Sequence, residues 1–134
     1  MGAIENKELL QHIFTELSKG NPQPFIDSMA DDFRWVVTGN TKWSKTYEGK
    51  QAILTDLFGA LRSKVGDSLK TVADRYIAED DLVVVEARGS STTKEGIPYN
   101  NTYCFIFRVT DGKLREVTEY MDTELVTAAL GDPS

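Results

Sequence analysis

The sequence has one cysteine, Cys104, and one histidine, His12, so no internal disulfide can form and no Cys/His set exists to hold zinc or an iron–sulfur cluster. No metal and no cofactor are therefore expected. With a single histidine, a Ser-His or Cys-His nucleophile pair has no second candidate, and Gly49-Lys50 lacks the preceding glycine of a phosphate loop. Long apolar runs are missing: the longest stretches from Tyr103 to Phe107, whereas a membrane-spanning helix needs about 20 such residues. The opening MGAIENKELL has neither the basic nor the apolar region of a secretion signal, and Asn6 stands where a myristoylation motif wants Ser or Thr. These features set the expectation of a cytoplasmic protein. Positive charge is also short. Fifteen basic against 21 acidic residues leave a net charge of −6, a field that repels phosphate backbones and anionic lipid, so neither nucleic acid nor membrane is an expected partner.

What is present suits one globular core. A chain of 134 residues, 40% hydrophobic and 10% aromatic, fits one domain over 1–134 and needs no covalent staples. Glycine and proline fall singly between periodic segments, with no repeat and no linker. Leu9, Leu10, Ile13, Phe14 and Leu17 recur at helical spacing after an Asn6 cap, and Gly20-Asn21-Pro22 ends that helix. A short second helix carries Phe25, Ile26 and Met29, followed by a strand from Phe33 to Thr38 and a polar loop from Gly39 to Tyr47 containing Trp43. Ile53, Leu54, Leu57, Phe58 and Leu61 mark a third helix near Lys50 to Ser63. Beyond it the period changes to two, and Leu69 to Asp122 reads as four strands of an antiparallel meander. Helices first and strands later predict an α+β fold, with helices on one face of a curved sheet that closes over a pocket.

Side chains alternate across a strand, so parity tells which polar groups look at the core. In the last strand Val117 and Met121 share a face with Glu119, which places a carboxylate on an apolar row. A three-residue Thr110-Asp111-Gly112 loop would set Glu119 opposite Tyr103 and Val117 opposite Phe105; a two-residue Asp111-Gly112 loop would set Glu119 against Cys104. The first is preferred because it pairs the aromatic row with the apolar one. Glu86 and Arg88 share one face of their strand. An even-length turn around Glu95-Gly96 aims them toward Glu119, and an odd one aims them outward.

The order of these elements, with MADDFRW after the second helix, YEGKQAIL opening the third, then VVVEARG and PYNNTYCFIFRVTDGKLREVTEYMDT, resembles the SnoaL-like branch of the nuclear-transport-factor-2-like superfamily. That group includes polyketide cyclases, ketosteroid isomerases and limonene epoxide hydrolases. The resemblance implies a cone-shaped domain in which a curved antiparallel sheet wraps around N-terminal helices and encloses an apolar pocket. It matches Glu119 to the acid/base Asp of the cyclases and epoxide hydrolases. The partner histidine of the cyclases falls on Phe105, as does the second acid of the isomerases, whose base and oxyanion tyrosine fall on Val37 and Ile13. The water-holding Tyr and Asn of the epoxide hydrolases fall on Trp35 and Val37, and their Arg and Asp on Glu86 and Arg88 in swapped order. None of the three mechanisms is complete.

The expected site is then a pocket walled by Trp35, Val37, Trp43, Tyr103 and Phe105, with Glu119, Glu86 and Arg88 as its polar groups. This suits a small, mostly apolar ligand with one polar end. Two functions follow. In one, a cofactor-free isomerase, cyclase or hydrolase uses Glu119 to move a proton or activate water while Arg88 or Tyr103 steadies an oxyanion. In the other, the same groups bind a ligand without turnover. Assembly is expected too: with Tyr103 and Phe105 inside, Cys104 and Ile106 together with Val83, Val85 and Ala87 would make an apolar outer sheet face that a homodimer would cover.

Overall fold

A computed structural model describes residues 2–133. Helix α1 (Ala3–Ser18) buries Leu10, Ile13 and Phe14 along one stripe. It begins four residues earlier than the Asn6 cap implied, because the Glu5 carboxylate accepts the Gly2 backbone N–H at 3.0 Å. Asn6 is instead buried inside the helix, with its Oδ1 unpaired among the described residues. Pro22 and Pro24 open α2 (Gln23–Ser28), which delivers Phe25 to the core. Strand β1 (Met29–Val37) follows directly, and a short β2 (Thr46–Glu48) lies in the region expected to be loop. The third helical region runs through α3 (Lys50–Ala52), a π-helical turn (Ile53–Phe58) and α4 (Gly59–Val65).

Strands β3 (Lys70–Glu79), β4 (Leu82–Ser90), β5 (Thr102–Thr110) and β6 (Lys113–Met121) form the expected meander. The sheet order is β2-β1-β6-β5-β4-β3, and β1 pairs with β6 in parallel. The sheet is therefore mixed rather than antiparallel throughout. A further helix, α5 (Thr123–Leu130), absent from the sequence reading, starts where Asp122 accepts the Leu125 N–H at 3.1 Å and ends at Gly131. No helix among the described residues is long and apolar enough to cross a membrane.

The β5–β6 register differs from both sequence alternatives. Asp111 and Gly112 both adopt positive φ, the signature of a two-residue type I′ turn. That turn pairs Thr110 with Lys113, but a bulge before Glu116 inserts one extra residue in β6. Glu119 consequently lies opposite Phe105, Val117 opposite Phe107 and Met121 opposite Tyr103. The two rows still share a face, displaced along each other by two positions.

On β4 the outward alternative is the one taken. Val85 pairs with Phe105 and Ala87 with Tyr103, so Val83, Val85 and Ala87 belong to the inner face and are sealed in the core. Glu86 and Arg88 pair with Cys104 and Thr102 on the opposite face. This corrects the expected outer face, which loses three apolar residues, and it removes two polar groups from the expected site.

Candidate functional site

Strands β1, β6 and β5 bring the site together because the parallel β1–β6 pairing sets Val37 beside Glu119 and Trp35 beside Val117. The indole of Trp35 thereby reaches one register step along the sheet, and its Nε1–H donates to Glu119 Oε1 at 2.8 Å. Rings fill the surrounding space. Phe105 meets Trp35 edge-on at 6.2 Å and stacks on Tyr103 at 5.1 Å, while Phe58 of the π-helical turn meets Trp35 edge-on at 5.3 Å. Such edge-on contacts aim positive ring edges at negative ring faces and add to the burial energy.

Within this enclosure the carboxyl of Glu119 titrates far from its ordinary range. Burial withholds water from the charged form and pushes the pKa up to about 7, against the smaller downward pull of the Trp35 hydrogen bond. A carboxylate has roughly four acceptor sites on its two oxygens, and the indole is its only side-chain donor among the described residues. The residue nevertheless keeps some exposure although its carboxyl lies deep in the fold. The nearby walls share this: Trp35, Val37, Tyr103 and Phe105 retain 5–7% of their surface, whereas Phe33, Phe107, Leu114 and Val117 are fully sealed. The Glu119 region thus lies nearer the solvent than the centre of the core does.

Three tyrosines sit close enough to sense this group. Tyr47 pairs with Trp35 across β1–β2 and donates its hydroxyl to the Trp43 carbonyl at 3.0 Å. Tyr99 accepts the Asn101 side-chain N–H at 3.1 Å. Tyr103 lies between Phe105 and Gly89, where an added Cβ would come within 3.0 Å of the tyrosine ring. Burial holds all three hydroxyls above the ordinary tyrosine range, most strongly at Tyr103, and the negative charge of Glu119 adds to each. They therefore remain protonated around neutral pH. Asn101 is buried and fully employed: its Oδ1 accepts the Thr102 and Asp122 backbone N–H groups at 2.8 and 2.9 Å, and its Nδ2 also reaches the Asp122 carbonyl. This clamp joins the start of β5 to the start of α5.

Glu119, Trp35, Val37, Tyr103 and Phe105 thus share the inner face, and the other expected residues do not join them. Arg88 forms two 2.8 Å hydrogen bonds with Asp74, and Glu86 pairs with Arg75 at 2.6 Å, all on the outer face. Trp43 is buried, but its indole N–H is spent on the Gly131 carbonyl at 2.7 Å, where it pegs the end of α5. His12 is exposed on α1. Tyr47, Tyr99 and Asn101 were missed from sequence; only the PYNN string before β5 hinted at a polar cluster entering an apolar strand.

A SnoaL-like domain model matches residues 10–117. Solved structures share the fold at low identity. One described as a putative SnoaL-like polyketide cyclase from Jannaschia superposes with a TM-score of 0.78 at 20% identity, covering 98% of this chain and 95% of that one. Bal32a, from a soil-derived mobile gene cassette, gives 0.83 at 18% identity over 96% and 98% of the two chains. TerC, co-crystallised with polyporic acid, gives 0.78 at 17% identity over 93% and 97%. No curated protein matches the sequence.

Proposed function

Because the chain belongs to the SnoaL-like domain family and carries a single buried carboxyl on an aromatic inner face, we propose that it binds a small, mostly apolar ligand beside Glu119 and exchanges a proton with it. The observation that carries this reading is the Glu119 carboxyl itself, raised to about 7 and hydrogen-bonded by one indole. A group with that pKa populates both protonation states near neutral pH, which is what general acid–base work requires. Trp35 is the positioning residue, fixing one carboxyl oxygen and leaving the other free. Tyr103, held protonated, stacks on Phe105 beside it, with its hydroxyl turned to Tyr99. Two structures of the same fold support small-molecule chemistry as the setting: one is described as a putative polyketide cyclase and another was crystallised with polyporic acid.

Binding without turnover is the second reading, favoured by the outward placement of Glu86 and Arg88, which leaves Glu119 with no charged helper. Hydrogen–deuterium exchange at the acidic C–H of a panel of small ketones, followed by NMR, separates the two. Turnover by Glu119 gives exchange that follows a midpoint near pH 7 and vanishes in Glu119→Gln. Equal rates in the two proteins contradict a catalytic Glu119. We also propose self-association through the outer sheet face, where Val72, Ile77 and Tyr120 are exposed and Val84, Cys104 and Ile106 are half-buried.

A further inference from the structure

The carboxyl of Glu119 lacks the partner that buried charges normally have. Every arginine of the chain is engaged in a surface ion pair: Arg34, Arg62, Arg75, Arg88, Arg108 and Arg115 each hold an Asp or Glu. None of the buried residues among those described is Lys, Arg or His. The titratable groups coupled to Glu119 are tyrosines: Tyr47 on β2, Tyr103 on β5 and Tyr99 in the segment before β5. Asp56 bears on Tyr47 and Asp122 on Tyr99, while the exposed Lys45 places its Nζ 4.7 Å from the centre of the Tyr47 ring. The faces of Trp35, Phe105 and Tyr103 present negative potential to a guest. An anionic ligand would meet no compensating charge here. A neutral one would leave the ionised carboxyl without a charge partner.

We propose that the ligand of this site carries a cationic nitrogen, seated between the free oxygen of Glu119 and the rings of Trp35, Phe105 and Tyr103. The inference rests on the small-molecule reading above and names the ligand's polar end. A cation enclosed by aromatic rings and a carboxylate gains both ring-face attraction and a charge-assisted hydrogen bond in a site with little water. Pairing draws Glu119 into its ionised form, so binding strengthens as pH rises through its titration and releases a proton below it.

Three probes that share a phenyl ring and differ in charge test this by isothermal titration calorimetry: 2-phenylethylamine, 2-phenylethanol and phenylacetate. At pH 8.5 the amine should bind about tenfold or more tighter than the alcohol, the scale of one desolvated cation–aromatic contact, and phenylacetate should not bind. At pH 5.5 the preference should narrow. Glu119→Gln should remove the preference for the amine over the alcohol, and Glu119→Asp should keep part of it. An alcohol that binds as tightly as the amine at pH 8.5, or a preference that persists in Glu119→Gln, overturns the cation and leaves the small-molecule site standing. If none of the three binds, both readings fall.

Discussion

A glutamate moved from water onto the inner face of β6 loses hydration of its charged form, and one indole N–H returns only part of that loss. The consequence is a pH dependence with a definite sign. Because the folded pKa lies above the unfolded value of 4.5, the native state holds the extra proton between about 4.5 and 7. The contribution of this one group is therefore full below pH 4.5, declines as pH rises through 7 and levels off above, by roughly 3 kcal/mol in total. Glu119→Gln should abolish that decline and melt higher than the native protein at pH 8; identical melting profiles from pH 4.5 to 8 would count against it. Trp35→Phe removes the one donor and should move the inflection of the same profile upward. Tryptophan emission should follow the titration in Trp43→Phe and lose most of its pH response in Trp35→Phe; an unchanged response in the latter would assign it to Trp43. At this scale the sequence was partly readable. Strand alternation alone put Glu119 on the row of Val117 and Met121. The Trp35 contact was not readable as a hydrogen bond, since it joins residues 84 apart through a parallel pairing that no local pattern announces.

Among the elements, the β5–β6 hairpin decides which way Glu119 points, and it does so by two compensating devices. The two-residue Asp111-Gly112 turn by itself would have set Glu119 against Cys104, and the bulge before Glu116 restores the inner face. Turn residues are visible in a sequence; a bulge inside a strand of ordinary β-formers is not. The outward aim of Glu86 and Arg88 had the same origin, because the β4–β5 connection is long and its parity was open. Helix α5 was legible in principle. Asp122 stands at the cap position, Leu125, Val126, Ala129 and Leu130 follow at helical spacing, and Gly131 and Pro133 lie beyond. Its strand-like approach through Tyr120 and Met121 masked the change of period. Asp122 caps this helix while its backbone is clamped by Asn101. Asp122→Ala should cost about 1 kcal/mol and speed amide hydrogen exchange in α5 selectively; uniform exchange across the chain would place the effect elsewhere.

For the whole molecule, element order and segment composition carried the α+β class, because most helical periods precede Lys70 and the four-strand meander follows it. The parallel β1–β6 closure depended on contacts between those two parts of the chain and stayed hidden. The outer face is less apolar than expected once Val83, Val85 and Ala87 move inside. What remains is Val72, Ile77, Val84, Cys104, Ile106 and Tyr120, interrupted by the Arg75–Glu86 and Arg88–Asp74 pairs. Asp74, Arg75, Glu86, Thr102, Cys104 and Tyr120, together with Ala87, Tyr103 and Met121 of the inner row, line a depression of about 460 Å³ beside it. Exposed apolar side chains interspersed with charged pairs suit a contact surface. Light scattering at micromolar concentration should therefore give a dimer mass, and Ile77→Glu combined with Tyr120→Lys should give a monomer with unchanged far-ultraviolet circular dichroism. A monomeric native protein would remove the proposed assembly without touching the inner face.

The central claim is that Glu119 is a buried acid tuned to neutral pH, and the carboxyl carbon resonance of that one residue reports it most directly. In protein labelled with ¹³C, the assigned Glu119 Cδ signal, followed from pH 3 to 9 and identified by its disappearance in Glu119→Gln, should titrate with a midpoint of about 7. A midpoint in the ordinary glutamate range, near 4.3, would contradict the account.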